Sequence, residues 1–177
     1  MKIFMAGAAG GEVTGSAYYV RTDKAAVLVD CGQFQGSRKS ETLNRWLPAS
    51  RIKLDAVLVT HAHLDHTGRL PVLAKRGHRV PAYATEATIE MTALILRDSA
   101  RILAADAEHR NRKRERAGDP PLPPLYTPED AETAIDLFRP VPYGQPVPVA
   151  PGIRAVWAEA GHMLGSASIQ LIVEEDG

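Results

Sequence analysis

The 177-residue sequence predicts an α/β fold, on two observations. Two short apolar runs, Ala26-Val27-Leu28-Val29 and Ala56-Val57-Leu58-Val59, read as buried strands. The second run ends in a polar cluster, Thr60-His61-Ala62-His63-Leu64-Asp65-His66-Thr67-Gly68, and then in a turn and a helix. In α/β proteins, functional residues gather where a buried strand ends.

Each element has a local cause. Lys2 to Ala6 reads as a first strand. Gly7 to Gly15 holds four glycines in nine positions, which permits close backbone approach or positive φ. It reads as a loop and lacks the G-x-x-x-x-G-K-[ST] pattern of a nucleotide P-loop. Ser16–Arg21 and Ala25–Asp30 form a hairpin around Thr22-Asp23-Lys24. Gln33 to Arg51 is polar, with a short helix around Glu41 to Leu47 that buries Trp46 and Leu47. Leu54–Thr60 is a strand, Pro71–Lys75 a helix ended by Gly77, and Val80–Ala84 a short strand.

Thr85 caps a long helix running to about Ala117, with Glu86 in its first turn. Its first half is apolar (Ile89, Met91, Leu94, Ile95, Ile102, Leu103). Its end, His109 to Arg116, carries five basic residues in eight. Such a run serves either as an RNA-backbone contact or as a solvated helix end whose cations suit the dipole; no aromatics are interleaved for base stacking. Ten of the thirteen prolines lie between 120 and 151, which marks rigid connecting chain. Thr127-Pro128-Glu129-Asp130 starts a helix that ends near Phe138. Ile153–Ala158 and Ala167–Val173 are strands. Glu174 to Gly177 is a turn, and its Asp-Gly pair is a hairpin signal with no return strand after it.

The chemistry lies in the His/Asp run. In extended chain, alternate side chains point the same way, so His61 and His63 reach one cation from one side. Asp65 and His66 are adjacent and cannot share that register. Where the chain turns into the helix, they reach a second cation. Imidazole and carboxylate are zinc-type ligands, with manganese or iron as competitors. Two such ions about 3.5–4 Å apart clamp a phosphate oxygen and activate water. The structural alternative is a solvated turn or a helix cap. Asp30, at the end of its strand, either holds a ligand histidine or a loop amide in place or is a turn former before Gly32. His162, between Gly161 and Met163, reads as a loop residue on spacing alone. His78 and His109 fit no motif and read as surface residues.

Four segments occur together: Gly10-Gly11-Glu12-Val13-Thr14-Gly15-Ser16, Val29-Asp30-Cys31-Gly32, the His/Asp run, and Gly161-His162-Met163-Leu164-Gly165-Ser166-Ala167. The His/Asp run resembles the signature of the metallo-β-lactamase fold. The E-V-T-G-S and G-H-x-L-G-S-A pieces resemble its β-CASP branch of RNA-processing nucleases, which includes RNase J and the cleavage and polyadenylation endonuclease. The resemblance covers nearly the whole chain and implies an αββα sandwich, of which only the first half is present here. It implies that His162 completes the first ion's ligands with His61 and His63, and that Asp65 and His66 serve the second. It implies two zinc ions, an RNA substrate, and Asp65 as the catalytic residue that orients or deprotonates the nucleophile.

The family supplies a bridging aspartate, the β-CASP domain and further histidines after the point where this sequence stops. Residues 1–177 are therefore expected to be the N-terminal part of a metallo-β-lactamase domain. The isolated chain should bind at most one metal tightly and cut RNA poorly. Two other functions compete: a superfamily hydrolase of a small thioester or other carbonyl substrate, and a non-catalytic RNA-processing subunit. The two nuclease-type motifs argue against the first, and intact ligands against the second.

Composition bounds the rest. A 45% apolar content is that of a globular domain. Net charge is zero, so nucleic acid would be attracted only by a local patch or by bound metals. Cys31 is the single cysteine, which excludes an internal disulfide. No transmembrane run and no secretory pattern is visible, so a cytoplasmic protein without membrane contact is expected. A homo-oligomer is allowed by the sequence.

Overall fold

The computed structural model describes residues 1–36, 38–45 and 53–175. A six-stranded mixed sheet contains β1 (Lys2–Met5), β3 (Tyr18–Arg21), β4 (Ala26–Val29), β5 (Ala56–Leu58), β6 (Ala82–Ala84) and β7 (Phe138–Pro140), in that spatial order. The first three pair antiparallel, and β4 to β7 run parallel. A second, antiparallel sheet orders β10 (Ala167–Val173), β9 (Ile153–Glu159) and β8 (Val147–Ala150). The segment β2 (Gly7–Glu12) is extended rather than the expected glycine loop. It starts where backbone packs on backbone, since a Cβ at Gly7 would lie 1.7 Å from the Gly15 carbonyl oxygen.

Alternation along the strands builds two cores. Leu28, Val57 and Val59 face α3 (Leu70–Lys75), α4 (Glu86–Arg116) and α5 (Pro128–Ile135), meeting Leu73, Leu96, Ala100 and Ala131. Val27, Ala56 and Leu58 face the second sheet and meet Ile153, Ala155 and Trp157. The described residues thus form three layers, helix–sheet–sheet, as expected for the first part of an αββα sandwich. Fully buried Trp157 ties the layers by donating from its indole N–H to the Val59 carbonyl at 3.1 Å.

The helices obey their end signals. Thr85 accepts from the Thr88 amide, and Ala117 caps the far end, so α4 occupies the expected span. Its buried face is Thr88, Thr92, Ala93, Leu96, Ala100 and Ala107, while Leu94 and Ile102 point outward, 64% and 51% exposed. Apart from Leu96 these residues are small, which lets the helix lie close to the sheet. Thr127 and Asp130 form a reciprocal capping box on α5.

Three boundaries differ from expectation. The helix placed at 41–47 is α1 (Arg38–Arg45), and Trp46 and Leu47 lie outside the described residues, as do 176–177 of the terminal turn. Helix α5 stops at Ile135, and Phe138–Pro140 is a strand. Val147–Ala150, inside the stretch expected to be connecting chain, is also a strand. Both strands carry proline, which signals a break, but both are sheet edges, where a missing N–H costs no ladder bond.

Candidate metal centre

The His/Asp run leaves β5 as extended chain and enters α2 (Leu64–Thr67), a single turn. That change of direction takes Asp65 and His66 out of the register shared by His61 and His63. His61 Nε2 lies 3.1 Å from His63 Nδ1, and His162 Nε2 lies 3.2 Å from the same atom. One nitrogen from each of the three rings falls within 4.8 Å of the others. The rings of His61 and His63 both stand 4.9 Å from that of His162, centroid to centroid. Zinc–nitrogen bonds of about 2.0–2.1 Å in a tetrahedron set ligand nitrogens roughly 3.3 Å apart, so this spacing fits one cation. Burial, then the neighbouring His66, His63 and His162 rings, push the His61 pKa down to about 4, which favours the neutral ring, the form able to bind a cation.

Asp65 and His66 stand beside this cluster on the turn of α2. His66 Nε2 is 3.9 Å from Asp65 Oδ2, and the His66 ring is 4.0 Å from that of His61. Among the described residues only the three histidines form a metal-type cluster, and Asp65 and His66 lie outside it. His78 is half-buried and His109 exposed, and neither is part of a metal-type cluster among the described residues.

Asp30 meets both roles expected of a supporting carboxylate. It is buried and sits at φ +59, in the left-handed region that aspartate tolerates at a sharp turn. There its Oδ1 accepts from the Thr60 amide at 2.8 Å, and its Oδ2 lies 2.7 Å from His66 Nδ1. Burial pushes its carboxyl pKa up, opposed by the hydrogen bonds from His66 and Thr60. Burial alone would lower the pKa of His66, but the hydrogen bond and charge of Asp30 raise it.

The glycine-containing motifs support the ligand turn through backbone contact. Ser16 N–H donates to Asp65 C=O, Cys31 N–H to His66 C=O and Gln33 N–H to Leu64 C=O, at 2.8–2.9 Å. Arg69, fully buried, gives its Nε–H to the Gly32 carbonyl and lays its guanidinium 4.6 Å from the centre of the Phe34 ring. The His162 loop is seated on the start of α4: Thr85 Oγ1 and Thr88 Oγ1 both donate to Gly165 C=O, at 2.7 and 2.8 Å. Ser166 Oγ accepts from the His162 and Met163 amides, each at 3.1 Å. Sequence reasoning missed Thr60, Arg69 and Thr88. The only local signal was the position of Thr60 and Arg69 next to the ligand run.

The basic end of α4 is remote from this centre. From Glu86 to Arg110 the helix rises about 36 Å at 1.5 Å per residue. Three of its arginines meet nearby carboxylates: Arg110 with Glu41 at 3.0 Å, Arg112 with Glu108 at 3.7 Å and Arg114 with Asp119 at 3.9 Å. These contacts favour the solvated-end reading. The cleft flanking the His162 loop is instead acidic, lined by Glu86, Glu90 and Glu159 beside Met163 and Leu164.

A helix–sheet–sheet layering with a histidine cluster at the strand ends defines a class of metal-dependent hydrolases. The Metallo-beta-lactamase superfamily model matches residues 10–161, and the chain belongs to that superfamily. It is 38% identical over 170 residues to Ribonuclease TTHA0252 of Thermus thermophilus, covering 96% of this chain and 34% of that protein. It is 39% identical over 160 residues to Transcription termination factor FttA of Cenarchaeum symbiosum, covering 89% of this chain and 23% of that protein. The chain thus spans about a third or less of the curated relatives it matches. The fold is also that of the metallo-beta-lactamase fold protein YhfI from Bacillus subtilis, with TM-score 0.53 and 20% identity over 96% of this chain and 57% of that one. A subclass B3 metallo-beta-lactamase, MEM-A1, from a soil metagenome gives TM-score 0.51 and 19% identity over 93% of this chain and 53% of that one. No helix among the described residues is long and apolar enough to cross a membrane.

Proposed function

We propose that the protein carrying this chain is a zinc-dependent RNA phosphodiesterase of the β-CASP branch, with His61, His63 and His162 holding one ion and Asp65 and His66 contributing to a second. The observation that carries the reading is the convergence of His162 on His61 and His63 from a hundred residues away, at 3.2 Å from the shared His63 nitrogen. The 38% identity to a protein named a ribonuclease supports RNA as the substrate class. A role in transcription termination is a second reading, supported by the identity to FttA, and the same cleavage chemistry would serve it.

Bound zinc would supply Lewis acidity, acidifying water and neutralising charge that develops on a phosphate. The chain's own residues do the rest. Buried His61 and exposed His63 and His162 fix the first position. The Asp65 carboxylate, 31% exposed and 3.9 Å from His66 Nε2, orients the attacking water and accepts its proton. His66 is turned toward Asp65 by Asp30. The acidic cleft beside the His162 loop repels a phosphate backbone, so the RNA track leaves the centre on another side.

Asp65→Ala in the full-length protein tests the reading. It should abolish RNA cleavage while leaving the unfolding midpoint and zinc at the three-histidine position unchanged. Wild-type cleavage by that variant removes the mechanism. Elemental analysis of the 177-residue chain should find about one zinc per molecule, and labelled RNA should be cut poorly by it. Tight binding of two, or high turnover, contradicts that expectation.

A further inference from the structure

Thr60 is the residue between the end of β5 and the first ligand, and its hydroxyl touches three polar groups. Thr60 Oγ1 lies 2.8 Å from Asp30 Oδ2 and 2.9 Å from His61 Nδ1, and more distantly 3.4 Å from His66 Nδ1. A hydroxyl has one proton to give. At 2.8 Å the Thr60 hydroxyl donates to Asp30 Oδ2, so its oxygen is left as an acceptor toward the neighbouring ring. The ring atom facing it, His61 Nδ1, must then carry a hydrogen. The lone pair of His61 is thereby placed on Nε2, the atom 3.1 Å from His63 Nδ1 in the three-histidine cluster.

We infer that Thr60 is a positioning residue that relays a hydrogen bond from Asp30 to His61 and fixes which nitrogen of that ring carries the proton. The same carboxylate acts on His66 directly, at 2.7 Å, so one buried acid orients a ring at each of the two proposed cation positions. The relay rests on the metal-centre reading for its purpose, but the tautomer it predicts is a property of the chain without metal. A bland alternative gives Thr60 only a structural role, pinning the end of β5 to the end of β4 through its amide bond to Asp30 Oδ1. The two separate cleanly, because Thr60→Val keeps the amide and the side-chain shape and removes only the hydroxyl.

The test uses the zinc-free 177-residue chain, with long-range proton–nitrogen correlation spectra of its histidine rings. Wild type is expected to hold His61 as the Nδ1–H tautomer. In Thr60→Val the ring should become a mixture or move to the Nε2–H form, and zinc affinity, measured by competition with a chromophoric chelator, should fall at least about tenfold. Thr60→Ser should restore both. A His61 proton found on Nε2 in the wild-type chain overturns the inference whether or not any variant folds. So does a Thr60→Val chain with an unchanged His61 tautomer, even if its zinc affinity drops. Zinc binding by the wild-type chain separately decides the metal-centre reading.

Discussion

The carbonyl oxygen of Asp65 occupies the space a side chain at Gly32 would need: a Cβ there would lie 1.6 Å from it and 2.7 Å from the His66 amide nitrogen. Backbone thus packs on backbone under the proposed second-site ligands. Gly32→Ala cannot be absorbed by a rotamer change, and the α2 turn must move. The variant should lose about 3 kcal/mol in urea unfolding, the upper end for overpacking a tight interior. An unchanged midpoint would show that the turn is not held this way.

Gly165 makes the equivalent contact for His162. Its φ is +82, and a Cβ would lie 2.5 Å from the Thr88 amide nitrogen at the start of α4. Gly165→Ala should push the loop off the helix and separate His162 from His61 and His63. Zinc affinity is expected to drop at least about tenfold, with far-UV circular dichroism preserved. Wild-type affinity in this variant would mean that the loop is positioned by something other than its seat on α4.

Cys31 sits beside Asp30 but is 1% exposed, and burial pushes its thiol up to about 11. At pH 8 roughly one molecule in a thousand would carry the thiolate, the reactive form. The native chain should resist iodoacetamide at pH 8 and be labelled promptly after denaturation. Rapid labelling of folded protein, followed by mass spectrometry, would contradict this burial.

The capping box on α5 offers a control far from the metal centre. Thr127→Ala removes an acceptor for the Asp130 amide and should cost about 1 kcal/mol, read as a shifted unfolding midpoint. Zinc affinity should not change. A loss of zinc in this variant would show that helix packing and the ligand cluster are coupled more tightly than the separate cores suggest.

What the sequence made legible was what is encoded within a few residues. The buried strands, the start of α4 at Thr85, the capping box at Thr127 and the alternation of His61 and His63 each have a local cause. The strands β7 and β8 were hidden because proline signals interruption, and only the finished sheet shows that Phe138–Pro140 and Val147–Ala150 are edges. The role of Asp30 was half visible, since a carboxylate closing a strand suggests support but does not name its partner. Thr60 and Arg69 gave still less. Their partners lie 30 and 37 positions away, at Asp30 and Gly32, and only the packing brings them together.

The placement of Pro140 and Pro148 gives the sandwich a direction of growth. The Met1 amine pairs with Glu175 at 2.6 Å, so β1 and β10 share one flank, while the proline-bearing β7 and β8 close the opposite one. An incoming strand finds a gap in the row of amide donors on the proline flank and an unbroken row on the other. Ile3, Phe4 and Met5, all more than half exposed along β1, add apolar surface to that receptive side. Among the described residues, the margin of β1 and β10 is thus the one whose amide donors run without a proline.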